Sequence, residues 1–440
     1  MLIRKFHAPL LIAALLFIAC SETVTETTAD FTVPVDLMGI VHGSLRSPLS
    51  DPAVKHQYDI MNDIGVTWIL DDFSWQNIQP ARDTWDLGFY DMYVQNANEY
   101  GIKLLGILVY DTDWLHENDD HVRRCVVGDD EIALYCEYAA KLAERYNGKN
   151  GFGKVDAWRI WNEPDGRFWT ASMEDYYKLA KAAVSAIHAA DPDAVVGVGS
   201  LTALASESWI KGLYSSGAAT GADYVAYHPY SVSPTAIVAA YNFFLNYSPR
   251  SWHNKVWVTE TGYPSGGSMP TVVPTGMMPN TIVKTITLLA ANGAQRILWY
   301  QLRDNMPRNN PADSESWFGM YEKENGVLTP KGKAPDAYKL AALNIPGKTY
   351  RINGLAGLDL PQNVQAHYFE GNGKHTLVVW NDSQASSRDI MINLPVGKNY
   401  VLHDPGGAVH SETVSAAGTY TLGRSNRSNE KVLFFTWDDE

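Results

Sequence analysis

The sequence has few cysteines, no hydrophobic run long enough to cross a membrane, and no excess of positive charge. Its 440 residues include three cysteines, none of them clustered with histidines, so no zinc site is indicated. The net charge of −14 at pH 7 argues against nucleic acid and anionic membrane surfaces as partners. No motif implies a metal or an organic cofactor. The hydrophobic share of 45% is that of a soluble globular protein with ample material for a core.

The first twenty residues are predicted to be a targeting segment. Arg4 and Lys5 precede an apolar stretch over residues 8–19, which is too short to span a bilayer. The sequence Phe17-Ile18-Ala19-Cys20 resembles the bacterial lipoprotein cleavage box, in which the cysteine is lipidated and becomes the mature N-terminus. An ordinary cleaved signal peptide is the alternative, but no small-x-small site closely follows the apolar core. Both alternatives predict export, and the lipoprotein reading predicts membrane attachment only through a lipid on Cys20. Residues 21–36 are predicted to form a flexible tether.

The two remaining cysteines, Cys125 and Cys136, stand eleven positions apart. In an oxidising compartment they could form a disulfide, although Cys136 falls in a predicted helix. The sequence leaves this pairing open.

Short apolar runs alternate with amphipathic helical stretches from Leu37 to Leu343. Eight runs are predicted to be strands, and eight helices lie between or after them. This pattern predicts an α/β fold, a (β/α)₈ TIM barrel over residues 37–344. A doubly wound open sheet is the competing arrangement, but no Gly-x-Gly-x-x-Gly turn follows the first strand. The predicted strands cover residues 37–42, 67–72, 103–109, 157–160, 194–199, 224–228, 255–259 and 296–300.

The pattern changes after Ile345-Pro346-Gly347. Short alternating stretches separated by turns such as Gly371-Asn372-Gly373 predict an all-β accessory domain over residues 345–440. A small β-sandwich packed on the barrel is the expected form.

Two predicted strands end in glutamate. The fourth runs into Asn162-Glu163-Pro164, and the seventh ends at Glu260. Parallel barrel strands end on one rim, where barrel enzymes carry out their chemistry. Glycoside hydrolysis needs two carboxyl groups in one cleft, because one must protonate the leaving oxygen while the other stays ionised.

These strand ends resemble those of the clan A glycoside hydrolases, which are retaining enzymes on (β/α)₈ barrels. The resemblance implies that Glu163 is the acid/base and Glu260 the nucleophile, and that Asn162 binds the sugar 2-hydroxyl. Tyr227-His228-Pro229-Tyr230 is similar to the clan's His-x-Tyr element, which implies that His228 and Tyr230 orient the two carboxyl groups. Trp299 occupies the position of the clan's sugar-stacking tryptophan.

Several aromatic side chains fall in predicted loops on the active rim. Sugar stacking and ordinary loop packing are equally good interpretations for each of them. They are Trp75, Tyr110, Trp114 and Trp169. His42, at the end of the first strand, is likewise either a substrate contact or a structural residue.

Within the clan, Asp72-Phe73-Ser74-Trp75 and the stretch from Ile78 to Asp86 are most similar to family 39 and its exopolysaccharide-cleaving relatives. This chain departs from them at Leu70, where relatives usually carry arginine, and at Gln79, where they carry glutamate.

The sequence therefore predicts a retaining glycoside hydrolase acting as a monomer on β-linked oligo- or polysaccharide. A surface lipoprotein that binds glycan without cleaving it, and a transglycosylase, are the alternatives.

Overall fold

The computed structural model describes residues 29–41, 47–116, 125–304, 310–324, 327–352, 363–382, 388–392, 400–403, 405, 412–414, 418–422 and 432–439. Cys20 and the rest of the predicted targeting segment lie outside these residues, as does His42. Their roles therefore stay predictions.

Strands and helices alternate as the sequence predicts. In chain order the strands are β1 (Phe31–Thr32), β2 (Met38–Val41), β3 (Trp68–Ser74), β4 (Lys103–Val109), β5 (Ala157–Ile160), β6 (Val196–Thr202), β7 (Tyr224–His228), β8 (Val256–Thr261), β9 (Arg296–Tyr300), β10 (Tyr321–Glu324), β11 (Val327–Pro330), β12 (Thr349–Arg351), β13 (Val364–Gly371), β14 (Lys374–Asn381), β15 (Arg388–Ile392), β16 (Tyr400–His403), β17 (Glu412–Val414), β18 (Gly418–Leu422) and β19 (Val432–Asp438). The helices are α1 (Pro52–Asp63), α2 (Trp75–Ile78), α3 (Gly88–Glu99), α4 (Asp129–Arg145), α5 (Met173–Ala190), α6 (Glu207–Ser215), α7 (Pro234–Asn246), α8 (Met278–Ala291) and α9 (Ala334–Asn344).

Strands β2 to β9 close into a parallel barrel in sequence order, which confirms the predicted (β/α)₈ fold. The helices pack around it because their apolar faces cover the outward side chains of the strands. Local signals fix where helices begin. The Asp51 side chain accepts from the amide of Ala53 at 2.9 Å, and Ser172 and Asp175 form a capping box at the start of α5. All barrel strands end at one rim.

The accessory domain is antiparallel β, as predicted. Its larger sheet has the order β1-β12-β13-β14-β19-β16-β17, and β15 pairs with β18. The sheet corrects the predicted tether, because Phe31–Thr32 pairs with Thr349–Arg351 instead of remaining flexible. Phe31 packs on Tyr350 with 5.7 Å between ring centroids, and Val33 is buried. Burial of these apolar side chains holds the end of the presumed tether in place.

Two points left by the sequence are settled in the described chain. Cys125 and Cys136 are not joined by a disulfide. Among the described helices, none has the length and apolarity needed to cross a bilayer.

Helix α8 joins the barrel to the accessory domain, and all its residues are buried. Its Lys284 Nζ lies 3.3 Å from Asp382 Oδ1 and 5.5 Å from the ring centroid of Trp380. Trp380 Nε1 donates to the same Asp382 oxygen at 2.7 Å. A lysine this well buried needs a charged partner, and here the partner comes from the accessory sheet.

We expect Lys284→Met to lower the free energy of unfolding by about 1–3 kcal/mol. The substitution leaves the partly buried Asp382 carboxylate without its lysine partner. The thermal unfolding midpoint measures this effect. Lys211→Met is the matched control, since Lys211 pairs with Glu207 on the exposed face of α6 and should change stability by under about 0.5 kcal/mol. Equal shifts in the two variants would contradict the predicted role of Lys284.

Candidate active site

Glu163 follows β5 in a backbone conformation that few non-glycine residues adopt. Trp161 has φ 64° and Glu163 has φ 44°, both in the left-handed region. Buried Ser200 secures this turn, because its Oγ accepts from the Glu163 amide at 3.3 Å and donates to the Trp161 carbonyl at 3.2 Å. Ser200 sits where the register of β6 against β7 shifts. Irregular backbone in two neighbouring strands thus aims the Glu163 side chain.

Glu260 is also aimed by an irregular strand. The pairing of β8 with β9 shifts between Val258 and Thr261, so Glu260 lies within a bulge. Bulges redirect side chains and are common beside active sites. The two glutamates meet at the carboxyl ends of their strands, and both side chains remain slightly exposed, 14% for Glu163 and 12% for Glu260.

The two carboxyl groups face each other closely. A carboxylate oxygen of Glu163, a ring nitrogen of His228 and a carboxylate oxygen of Glu260 all lie within 4.8 Å of one another. Such a trio has the donor atoms of a metal site, but both nitrogens of His228 are already engaged, and an arginine supplies positive charge beside Glu260. The oxygens of the two carboxyl groups are thus close enough to act on one substrate atom between them.

His228 ends β7 and is fully buried between the two acids. Its Nδ1 lies 3.0 Å from Glu163 Oε1, and its Nε2 lies 3.0 Å from Arg159 Nη1. An arginine can only donate, so Nε2 accepts and Nδ1 carries the proton that is donated to Glu163. Burial lowers the pKa of His228 to about 3, which keeps the imidazole neutral at any physiological pH.

Arg159 was not predicted as a functional residue, yet it connects the whole site. It is fully buried in β5, and its Nη2 donates to Asn162 Oδ1 at 2.7 Å. The same nitrogen lies 3.5 Å from Glu260 Oε1, while Nη1 donates to Thr259 Oγ1 at 2.6 Å. A charged residue in an apolar strand, four positions before Glu163, was the available signal, because a buried charge requires partners.

Burial raises the pKa values of both glutamates, and nearby positive charges oppose the increase to a different degree in each. Burial raises the pKa of Glu163 to about 7, against the opposing charges of Arg159 and Arg167. Burial also raises the pKa of Glu260, and the charges of Glu163 and Asp72 add to this effect, whereas the charge of Arg159 opposes it. A carboxyl group with a pKa near neutrality is suited to donating and taking back a proton. The direct contact with a guanidinium favours the ionised form of Glu260.

Asn162 and Tyr230 lie where a sugar would contact the glutamates. The oxygen of the Asn162 amide faces Arg159, so its NH₂ group is left to donate elsewhere, and it reaches the Tyr110 hydroxyl. The Tyr230 hydroxyl donates to Glu260 Oε2 at 3.4 Å. The structure thus brings together Glu163, Glu260, Asn162, His228, Tyr230 and Tyr110.

The predicted sugar-stacking role of Trp299 is wrong. Its side chain is only 1% exposed and packs outside the barrel, near Tyr263. Alternation along β9 places Leu298 and Tyr300 on the interior side instead. Tyr300 is half-buried at the barrel mouth, and its ring centroid lies 6.4 Å from that of Tyr230. The residue next to the predicted tryptophan therefore occupies the cleft.

Of the four loop aromatics, two belong to the core. Trp75 is fully buried and stacked on Tyr138, and Trp169 packs edge-on against Trp161. Trp114 is partly buried, with its Nε1 donating to the Gln79 carbonyl at 2.7 Å. Packing accounts for these three side chains.

Tyr110 alone of that group is close to the glutamates. Its ring is stacked on Phe168, with 5.7 Å between the ring centroids, and packs edge-on against Trp161. The hydroxyl is near enough to Glu163 and Glu260 for their charges to raise the pKa of Tyr110, beyond the larger effect of burial.

Glu315 is another acid that was not singled out from the sequence. It lies in the 3₁₀ turn Ser314–Trp317, and Tyr300 donates to its Oε2 at 3.3 Å. Burial raises the pKa of Glu315 to about 7, and the charges of Glu163 and Glu260 add to the effect. Its position after β9 carried no sequence signal, because a loop acid is usually only a solvated surface residue.

Known proteins resemble both the sequence and the fold. Residues 125–244 match the model of glycosyl hydrolases family 39, a segment that includes Glu163 and His228 but ends before Glu260. A β-xylosidase from Caldicellulosiruptor saccharolyticus is 38% identical over 100 residues, which are 21% of this chain and 19% of that protein. The match thus spans about a fifth of the curated relative.

Solved structures share the fold at low sequence identity. A family 39 glycoside hydrolase from the gut symbiont Bacteroides cellulosilyticus superposes with a TM-score of 0.68 at 17% identity, over 93% of this chain and 81% of that one. A monomeric β-xylosidase from Caulobacter crescentus gives 0.64 at 15% identity, over 92% and 96%. The predicted resemblance to clan A glycoside hydrolases, and to family 39 in particular, is confirmed.

We expect Arg159→Met to move both limbs of the pH profile of glycoside cleavage to higher pH. Arg159 lowers the pKa of Glu260, which is ionised in the predicted mechanism, and of Glu163, which is protonated in it. Removing the cation therefore raises both values, so activity appears at higher pH and is lost at higher pH. We also expect kcat/KM at the optimum to fall by about 10²–10³-fold, the usual cost of one lost electrostatic contact in an active site.

Arg296→Met is the matched control. Arg296 is a largely buried arginine at the opposite end of the barrel, where it pairs with Asp36 at 2.8 Å. Its loss should lower stability without displacing the pH limbs. If the pH profile of Arg159→Met has the same limbs as that of the wild type, Arg159 has only a structural role.

Proposed function

We propose that this protein is a retaining glycoside hydrolase that cleaves β-linked glycosidic bonds of an oligo- or polysaccharide. The observation that carries the proposal is the separation of the two acids, whose carboxylate oxygens come within 4.8 Å of each other. Retaining enzymes hold their carboxyl groups about 5–5.5 Å apart, whereas inverting enzymes need about 6.5–9.5 Å to admit a water molecule. The match to family 39 over residues 125–244 supports the same class.

In the proposed first step, a Glu260 oxygen attacks the anomeric carbon as the bond to the leaving oxygen breaks. Glu163 donates its proton to that oxygen, so the leaving group departs as a neutral alcohol. His228 donates to Glu163 Oε1, which leaves Oε2 as the oxygen that carries the acidic proton. The product of this step is a glycosyl ester of Glu260.

In the second step, Glu163 takes a proton from water while the water oxygen attacks the anomeric carbon. The ester bond breaks, and Glu260 leaves as a carboxylate beside the Arg159 guanidinium. Two inversions at the same carbon restore the β configuration. The Asn162 NH₂ group, oriented by Arg159, is placed to bind the 2-hydroxyl of the sugar, a contact that strengthens in the transition state.

The test is the intact mass of the protein after incubation with activated 2-deoxy-2-fluoro β-glycosides. Two of the similar proteins are named as β-xylosidases, so the xyloside belongs in the panel with other neutral sugars. We expect one added glycosyl unit in the wild type, because the fluorine slows both steps while the activated leaving group keeps the first step fast, so that the ester accumulates. Glu260→Ala should gain no mass.

An adduct on Glu260→Ala would assign the nucleophile elsewhere. If no fluoroglycoside labels the wild type and no polysaccharide is cleaved, but a glycan still binds, the protein is a glycan-binding protein without hydrolase activity. Products longer than the substrate would instead support a transglycosylase, which forms the same covalent intermediate but transfers it to a sugar.

We also propose that the protein acts as a monomer after export and is anchored through a lipid on Cys20. The support for export and for the anchor is the residue pattern alone: basic residues, a short apolar stretch and a cysteine at its end. We expect radiolabelled palmitate to be incorporated into the wild type expressed in bacteria and not into Cys20→Ala. Equal labelling of the two proteins would contradict the anchor.

A further inference from the structure

Asp72 lies inside the mouth of the barrel. It belongs to β3, in register with Ile107 of β4, which in turn is opposite Arg159 of β5. Leu70, two positions earlier on the same side of the strand, is buried in the barrel interior. Asp72 points the same way but is exposed, unlike the residues on either side of it. An exposed side chain at this position faces the open cleft in front of Arg159.

The Asp72 carboxylate has no hydrogen bond or ion pair within the described part of the chain. Other acids near the cleft are bound by protein donors: Asp165 accepts from Thr202, and Glu315 accepts from Tyr300. Burial within the cleft raises the pKa of Asp72 and the nearby charge of Arg159 lowers it, while Asp72 in turn raises the pKa of Glu260. It is thus an acceptor group beside the nucleophile with its hydrogen-bonding capacity unused.

We propose that Asp72 binds hydroxyl groups of the sugar in the reactive subsite, and that its charge selects uncharged sugars over uronic acids. This inference rests on the proposed function. Hydrogen bonds from hydroxyl groups to a carboxylate are short and strong, and a pyranose offers two adjacent hydroxyls to one carboxylate. A uronate would instead place a second negative charge near Asp72 and Glu260, which an electrostatically matched site rejects.

The arrangement of cations supports this selectivity. Leu70, two positions before Asp72 and on the same side of β3, is an apolar side chain of the barrel interior and supplies no positive charge there. The Arg159 guanidinium is already committed to Asn162, His228 and Glu260. A sugar carboxylate at Asp72 would therefore meet a like charge, while the Arg159 guanidinium is already bound to protein acceptors. The hydroxyl groups of a neutral sugar would be satisfied there.

The test compares 4-nitrophenyl β-glycosides of neutral sugars with the β-glucuronide, using wild type, Asp72→Asn and Asp63→Asn. Asp63 is the matched control, because it removes the same charge from the exposed end of α1, where Asp63 pairs with Lys339. We expect the wild type to prefer the best neutral sugar at least 100-fold in kcat/KM. Asp72→Asn should reduce that preference at least tenfold, mainly through slower cleavage of the neutral sugar, and Asp63→Asn should leave it unchanged.

If the enzyme needs long substrates, the same preference is measured by calorimetry, as the binding of neutral and of uronate-containing oligosaccharides. An equal preference in wild type and Asp72→Asn overturns the inference, as does a wild type that favours the glucuronide. Both of these results leave the glycosidase intact, because turnover is still seen. Absence of turnover, labelling and binding across all sugars overturns the proposed function and the inference together.

Discussion

The contact between the buried Arg159 guanidinium and its neighbours is the interaction on which the site depends. A cation fully enclosed in a barrel is costly unless nearby acceptors compensate for its charge. Here the two terminal nitrogens of Arg159 face Asn162, His228, Thr259 and Glu260, which lie on β7, β8 and the turn that follows β5. Its Nε has no hydrogen-bond partner among the described residues. The requirement to satisfy one charge therefore fixes the orientation of an amide, the protonated nitrogen of an imidazole and the environment of a carboxylate.

The same arrangement places two chemically identical side chains in two different environments. Glu260 contacts a cation, whereas Glu163 receives a hydrogen bond from a neutral histidine and has a pKa of about 7 because of burial. Irregular backbone at Ser200, at Glu163 and around Glu260 delivers the side chains to these environments. Strain and electrostatics thus act together, as is common at active sites.

The barrel and the glutamate pair were predictable because both follow from periodicity and strand ends. Details that depend on the register of a strand to within one residue could not be predicted. Trp299 and Tyr300 are adjacent, and only the alternation seen in β9 decides which one faces the cleft. Phe31–Thr32 was assigned to a tether because its partner strand lies more than 300 positions away in the sequence. Arg159 was visible as a charge in an apolar strand, but its partners His228, Thr259 and Glu260 become neighbours only when the barrel closes.

The central claim is that Glu163 and Glu260 are spaced for retention, and the anomer released first tests it most directly. Proton NMR of a β-glycoside during rapid hydrolysis resolves the two anomers before they interconvert. The account predicts that the β-hemiacetal appears first and the α-anomer grows in later by mutarotation. First release of the α-anomer would contradict it, because a water molecule would then have to fit between carboxyl oxygens that lie within 4.8 Å of each other.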